Sequence, residues 1–192
     1  SGTEANRRVM EIGRDNRAGG RVLFGIWNYI ASDGMGAQFS TVGVTGPQMP
    51  EIDDAVLEVT APLPYVPALA ANGILLGVQC LDGLQFEEGA VYTEEKMVEL
   101  EKRCLRWFDS KLSDGSFGIV ILELVLACNG AFLRRGFLRD LASLLDRLDV
   151  KLVVDECMTG FRCGHSSLAF YYGLRPWAVT FGKLTGGWFI CL

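Results

Sequence analysis

The 192-residue sequence has few of the side chains that hold metal ions. It contains one histidine, His165, and its cysteines include no Cys-x-x-Cys pair, so the usual metal-ligand spacings are absent. We therefore expect no metal site and mostly buried, reduced thiols. The cysteines are Cys80, Cys104, Cys128, Cys157, Cys163 and Cys191.

The sequence also lacks an excess of basic residues and a long apolar run. Its net charge of −5 leaves no basic surface for nucleic acid. The most apolar stretch, residues 117–133, is interrupted by Glu123, Asn129 and Gly130 and is too short to span a bilayer. No basic-then-apolar start marks a secretory signal. We expect a cytoplasmic protein without nucleic-acid or membrane partners.

The composition is that of one globular domain over residues 1–192, with 49% hydrophobic and 21% charged residues. The first residues already have a helical pattern, and the last, Ile190-Cys191-Leu192, resemble the middle of a strand. We therefore expect a fragment of a longer protein.

Hydrophobic periodicity and breakers divide the chain into alternating helices and strands. The pattern predicts helices over residues 1–17, 93–111, 135–148 and 166–172, and strands over 21–26, 56–59, 117–126, 151–155 and 177–181. Strands that alternate with helices favour a parallel sheet covered on both faces. The predicted class is α/β, a three-layer αβα sandwich with a mostly parallel sheet.

Two predicted strands end in groups that suit carbonyl chemistry. Asp155 ends the strand that begins at Lys151, and Lys183 follows the strand that ends at Phe181. Ligands of open α/β sheets bind outside the carboxyl ends of the strands, so we expect both groups to face one cleft. A lysine desolvated there would lose its proton and become an amine nucleophile.

Two further features suit a binding site. Glu123 lies within a predicted apolar strand, where a carboxylate needs a partner and often belongs to a functional site. Small residues, Gly2 and Thr3, begin the first helix, and a helix N-terminus can seat a phosphate. Taken alone, this stretch is more often a plain capped helix.

Four segments, in order along the chain, carry a family resemblance: SGTEAN at 1–6, GFLR at 136–139, DECMTGFR at 155–162 and TFGKLTGG at 180–187. Together they resemble the class III pyridoxal-phosphate-dependent aminotransferases of the fold type I superfamily. Met158 with Phe161-Arg162 is closer to the glutamate-1-semialdehyde 2,1-aminomutase branch. Residues 43–92 are divergent and include an insertion relative to that family.

The resemblance implies a partial large domain of a fold type I enzyme with pyridoxal 5'-phosphate as cofactor. It implies that Lys183 forms the Schiff base and later moves a proton between substrate Cα and the cofactor. Asp155 would pair with the pyridine nitrogen and keep it protonated, so that the ring is an electron sink. The backbone N–H groups of Gly2 and Thr3 would hold the phosphate.

The remaining cofactor contacts are also implied by the resemblance. Trp27 and Cys157 would lie on opposite faces of the ring, with Glu123 nearby. Met158 stands where the family has a glutamine that reaches the phenolic oxygen, a contact that methionine cannot make.

The reaction implied is transfer of an amino group from a small-molecule amino donor to a keto acid, or its shift within one substrate. A homodimer is implied for the full-length protein. One alternative is a degenerate, non-catalytic subunit, motivated by Asn28, Tyr29 and Met158 at family positions and by the short chain. Another is a fold type I racemase or decarboxylase.

Overall fold

The computed structural model describes residues 2–15, 21–25, 60–61, 63–66, 93–127, 130–187 and 189–192. Its helices are α1 (Gly2–Asp15), α2 (Glu94–Leu112), α3 (Arg135–Arg147) and α4 (Leu168–Tyr171). Its strands are β1 (Arg21–Gly25), β2 (Thr60–Ala61), β3 (Phe117–Leu122), β4 (Lys151–Glu156), β5 (Ala178–Phe181) and β6 (Phe189–Cys191). A 3-10 helix, Lys183–Thr185, joins β5 to β6. The strand predicted at 56–59 lies outside the described residues.

The strands form one sheet in the order β2-β1-β3-β4-β5-β6. Neighbours pair in parallel except β5 and β6, which are antiparallel. The register places Val154 beside Leu122 on β3, and Asp155 beside Thr180 on β5. The carboxyl ends of β3, β4 and β5 therefore meet at one edge of the sheet. The predicted α/β class with a mostly parallel sheet is confirmed.

Helices cover both faces of the sheet. Ala5, Val9 and Gly13 recur at four-residue spacing on α1 and form its buried stripe. Val9 packs on one sheet face in a cluster with Val22, Ile119, Ile121, Val153 and Ala178. The larger cluster on the opposite face includes Cys104 and Phe108 of α2 and Leu138 and Leu141 of α3. The described elements thus form the three predicted layers.

Strand β3 is shorter than the sequence pattern indicates. It ends at Leu122, so the prediction that Glu123 lies inside a strand is wrong. Leu124 and Leu126 remain buried after the strand because both join the core beneath α2 and α3. The apolar pattern therefore continues past the parallel pairing of β3, into a segment that pairs antiparallel with residues 131–133.

The expectation of mostly buried thiols is also only partly met. Cysteines 104, 157, 163 and 191 are all free, but Cys163 and Cys191 are exposed. His165 is exposed between Gly164 and Ser166, as expected of a loop histidine. None of the helices in the described ranges has the length and hydrophobicity needed to cross a membrane.

Glu156, the last residue of β4, holds the short helix α4 in place. Its side chain is buried and accepts hydrogen bonds from the Leu168 and Ala169 backbone N–H groups, each at 2.8 Å, and from the Ser167 hydroxyl. These donors belong to the first turn of the helix, where no intrahelical partner exists. Glu156 therefore has a structural role distinct from that of Asp155.

We predict that Glu156→Ala lowers the free energy of unfolding by about 3 kcal/mol, because it leaves buried donors without an acceptor. Urea unfolding followed by tryptophan fluorescence measures the change. The control is Asp140→Ala on the exposed side of α3, which should change stability by less than about 0.5 kcal/mol. Equal stabilities of the two variants would contradict the assignment.

Candidate functional site

The site lies where β4 and β5 end side by side. Asp155 is the penultimate residue of β4 and is 4% exposed, and Lys183 follows β5 after Gly182. Parallel pairing of the strands brings both residues to the carboxyl edge of the sheet. This is the edge at which open α/β sheets bind ligands.

Helix α1 brings a third group, Asn6, to the same edge. The Asn6 amide nitrogen donates to Asp155 Oδ2 at 2.6 Å. The Thr180 hydroxyl donates to Asn6 Oδ1, also at 2.6 Å. Asn6 and Thr180 are buried, so their polar groups need hydrogen-bond partners within the protein, and these two contacts supply some of them.

Two glycines allow the three chain segments to approach closely. A Cβ on Gly2 would lie 2.5 Å from Cys157 Sγ and 3.0 Å from Cys157 Cβ. A Cβ on Gly182 would lie 3.4 Å from both Cys157 Sγ and the Gly2 nitrogen. The start of α1 thus packs directly against the turn after β4 and the segment after β5.

Burial and hydrogen bonding act on Asp155 in opposite directions. Burial raises the pKa of the carboxyl group, whereas the Cys157 N–H, the Asn6 amide and the charge of Lys183 lower it. The Cys157 N–H donates to Asp155 Oδ1 at 2.8 Å. Both carboxylate oxygens therefore receive a hydrogen bond, which opposes the effect of burial, but burial dominates and the pKa of Asp155 is raised overall.

Cys157 is a thiol rather than a thiolate at this site. Burial raises its pKa, and the neighbouring charge of Asp155 raises it further. The thiolate is the nucleophilic form of cysteine, so Cys157 acts here as a packing group.

Lys183 has an unusual backbone but an exposed side chain. Its φ of 43° lies in the left-handed region, which non-glycine residues rarely occupy outside turns and functional sites. Its side chain is exposed, so the expectation that burial desolvates this lysine is wrong. Its charge nevertheless acts on Asp155 and on Cys157, so the amine lies within electrostatic reach of both.

The other predicted site residues are only partly brought together. Gly2 and Thr3 lie in the first turn of α1, and Met158 lies half-buried in the turn after Cys157. The Glu123 carboxylate, at the end of β3, accepts from the Ala127 N–H at 2.7 Å and so caps a local turn. Trp27, predicted to stack on the ring, lies outside the described residues, as do Asn28 and Tyr29.

Asn6 is the site residue that the sequence interpretation missed. It lies one position after Ala5 on the buried side of α1, where a polar side chain needs a partner. That placement was a usable signal, but its partners are 149 and 174 residues away in sequence. No local pattern connects them.

No family model matches the chain. Glutamate-1-semialdehyde 2,1-aminomutase from Anaeromyxobacter sp. (strain Fw109-5) is 39% identical over 74 residues, which is 38% of this chain and 17% of the aminomutase. The aminomutase from Anaeromyxobacter dehalogenans (strain 2CP-C) is 43% identical over 72 residues, 37% of this chain and 17% of its own.

Solved structures match across nearly the whole chain. Lysine aminotransferase from M. tuberculosis superposes with a TM-score of 0.71 at 19% identity, covering 99% of this chain and 42% of its own. An amine transaminase from an uncultivated Pseudomonas species, solved in a PLP-bound form, gives 0.64 at 17% identity, covering 99% and 41%.

The chain shares the fold of these transaminases. The resemblance to class III aminotransferases, with local similarity to the aminomutases, is thereby confirmed. The chain spans less than half the length of these transaminases, and its match to the aminomutases covers 17% of their length. The relatives themselves are enzymes.

The close packing at Gly2 generates a prediction. Gly2→Ala should lower the free energy of unfolding by about 1–3 kcal/mol, because the new methyl group overlaps Cys157. The matched control is Gly136→Ala, also in the first turn of a helix, where a Cβ meets nothing within 4 Å. The control should be neutral or more stable than wild type by up to about 1 kcal/mol.

Thermal unfolding by circular dichroism compares the two variants. Equal effects of the two substitutions would show that the start of α1 does not pack tightly against the turn after β4.

Proposed function

We propose that this chain forms the core of a pyridoxal-phosphate-dependent enzyme that moves amino groups. Lys183 is the covalent attachment point for the cofactor, and Asp155 is the partner of its ring nitrogen. The observation that carries the proposal is the pairing of a buried acid and a lysine at adjacent strand ends, beside the start of α1. They occur in a chain with the fold type I architecture of transaminases.

The chemistry of the donor set fits the cofactor. The first N–H groups of a helix have no intrahelical partner, and the N-terminus attracts anions. The first turn of α1, with Gly2 and Thr3, is therefore suited to a phosphate. The Asp155 carboxylate suits a protonated ring nitrogen, and the exposed Lys183 amine is accessible to an aldehyde carbon.

When bound, the cofactor supplies an electron sink for negative charge that develops at the Cα of an amino acid. Asp155 would keep the ring nitrogen protonated, a role for which its carboxylate must be anionic. Its hydrogen bonds from Asn6 and the Cys157 N–H support that state. Once its amine is free, Lys183 would take the proton from substrate Cα as a general base and deliver it to the cofactor as a general acid.

The neighbouring side chains shape the site. Cys157 lies between the start of α1 and Gly182, so its thiol forms part of the wall beside the ring. Met158 follows it and presents a thioether with no strong hydrogen-bonding group. Glu123 stabilises the turn after β3 through the Ala127 N–H. Trp27 remains the proposed stacking partner on the other ring face.

Two reactions remain candidates. The fold of aminotransferases supports exchange between a small-molecule amino donor and a keto acid. The identity of 39–43% with aminomutases over 72–74 residues supports an amino shift within one substrate. A homodimer and a cytoplasmic location are part of the proposal for the whole protein.

Borohydride trapping tests the attachment point. Treatment of the protein with pyridoxal phosphate and borohydride should add the reduced cofactor to the peptide containing Lys183, as seen by mass spectrometry. Lys183→Ala should lose this modification, whereas Lys102→Ala on the exposed side of α2 should keep it. Unchanged total labelling of Lys183→Ala, carried by another lysine, would contradict the role.

Assays of amino transfer separate the two reactions. The protein with pyridoxal phosphate should transfer nitrogen from a 15N-labelled amino acid to a keto acid if it is a transaminase. It should instead isomerise an amino aldehyde without any keto acid if it is an aminomutase. Lys183→Ala should lower either rate by a factor of about 100 or more. Tight cofactor binding with neither activity would support the non-catalytic alternative.

A further inference from the structure

We propose that Thr180, Asn6 and Asp155 form a positioning relay. The Thr180 hydroxyl holds the Asn6 amide in place, and the amide in turn stabilises the anionic form of the Asp155 carboxylate at the sheet edge. Asn6 and Thr180 are thus positioning residues that act through Asp155. The hydrogen bonds themselves do not depend on the proposed function. Only their use does: in the proposed function, the oriented carboxylate of Asp155 binds the ring nitrogen of the cofactor.

The geometry of the relay is direct. Thr180 Oγ1 lies 2.6 Å from Asn6 Oδ1, and Asn6 Nδ2 lies 2.6 Å from Asp155 Oδ2. The exposed fractions of Thr180, Asn6 and Asp155 are 0%, 1% and 4%. In such buried networks each missing partner is costly, because water cannot replace it.

The relay has a direction because an amide has one accepting end and one donating end. A hydroxyl that donates to Asn6 Oδ1 turns Asn6 Nδ2 toward Asp155. With the amide reversed, its oxygen would face the carboxylate oxygen and repel it. The carboxylate can only accept, so it takes the amide nitrogen, and the Thr180 hydroxyl holds Asn6 in that orientation by donating to the amide oxygen.

The consequence concerns both oxygens of Asp155. Oδ2 receives the Asn6 amide and Oδ1 receives the Cys157 N–H, so the plane of the carboxylate is fixed from two sides. Each carboxylate oxygen can accept a second hydrogen bond, which leaves capacity for a ring N–H. Without the hydrogen bond from the amide, burial would raise the pKa of Asp155 further and favour its protonated form.

Other groups also influence the titration of Asp155. Among the described residues, these are the Cys157 thiol from the turn after β4 and the Lys183 amine beyond β5. Helix α1 contributes the uncharged Asn6, and β5 contributes the uncharged Thr180. A substitution at Thr180 therefore changes no charge, but it also removes a hydrogen bond between Thr180 and the Cys157 thiol, so the Asn6→Ala background isolates the route through the amide.

A purely structural role is the competing explanation. The hydrogen bond between Asn6 and Thr180 joins α1 to β5. In this explanation, its loss loosens the packing of the helix and has no other effect. That explanation predicts lower stability with an unchanged pKa of Asp155. The relay predicts that the pKa itself moves.

The experiment uses Thr180→Val, which keeps the side-chain shape and removes the hydroxyl, and Thr180→Ser, which restores the hydroxyl. The pKa of Asp155 is measured by 13C NMR of the carboxyl carbon in cofactor-free protein. We expect Thr180→Val to raise this pKa and to weaken binding of pyridoxal phosphate about tenfold. Thr180→Ser should restore both quantities nearly to the wild-type values.

A double-substitution cycle tests the order of the relay. In an Asn6→Ala background, Thr180→Val should have no further effect on the pKa of Asp155, because the hydroxyl acts through the amide. Additive effects would overturn the relay. If Asn6→Ala does not fold, the comparison of Thr180→Val with Thr180→Ser decides the question alone.

An unchanged pKa of Asp155 in Thr180→Val would also overturn the relay. The hydrogen bond between Thr180 and Asn6 would then have a structural role only. The NMR titration needs no cofactor, so its result is independent of the proposed function. Failure of the wild-type protein to bind pyridoxal phosphate would contradict the proposed function instead.

Discussion

The structure depends on one buried carboxylate that must be stabilised where three segments meet. Asp155 is nearly inaccessible to water, and an unpartnered charge in that environment is costly. Its hydrogen-bond donors come from α1 and from the turn after β4, while Thr180 of β5 holds the α1 donor in place. The same interactions that stabilise the acid therefore fix α1 against the sheet. The candidate site and the packing of this edge cannot be separated.

The adjacent acids Asp155 and Glu156 lie on one strand but have different roles. Successive side chains of a strand point to opposite faces of the sheet. Asp155 faces α1 and keeps capacity for another hydrogen bond. Glu156 faces α4, where Ser167 and two backbone N–H groups occupy its carboxylate. One acid is thus available for ligand chemistry, and the other holds the chain that returns from β4 to β5.

Much of the fold could be predicted because apolar periodicity is local: alternating helices and strands indicated a parallel sheet between two helical layers. The placement of Asp155 and Lys183 at neighbouring strand ends followed from the same topology. Side-chain environment was harder to predict. Burial of Leu124 and Leu126 outside a strand obscured the end of β3, and exposure of Lys183 depends on the turn that carries it. Asn6 was missed because its partners are distant in sequence.

The central claim is that Asp155 faces the ring nitrogen of a bound pyridoxal phosphate as an anion. The most direct measurement is the 15N NMR signal of the ring nitrogen in cofactor labelled at that atom. The account predicts a protonated nitrogen in the wild-type protein and an unprotonated nitrogen in Asp155→Ala at the same pH. The same nitrogen signal in both proteins would contradict it.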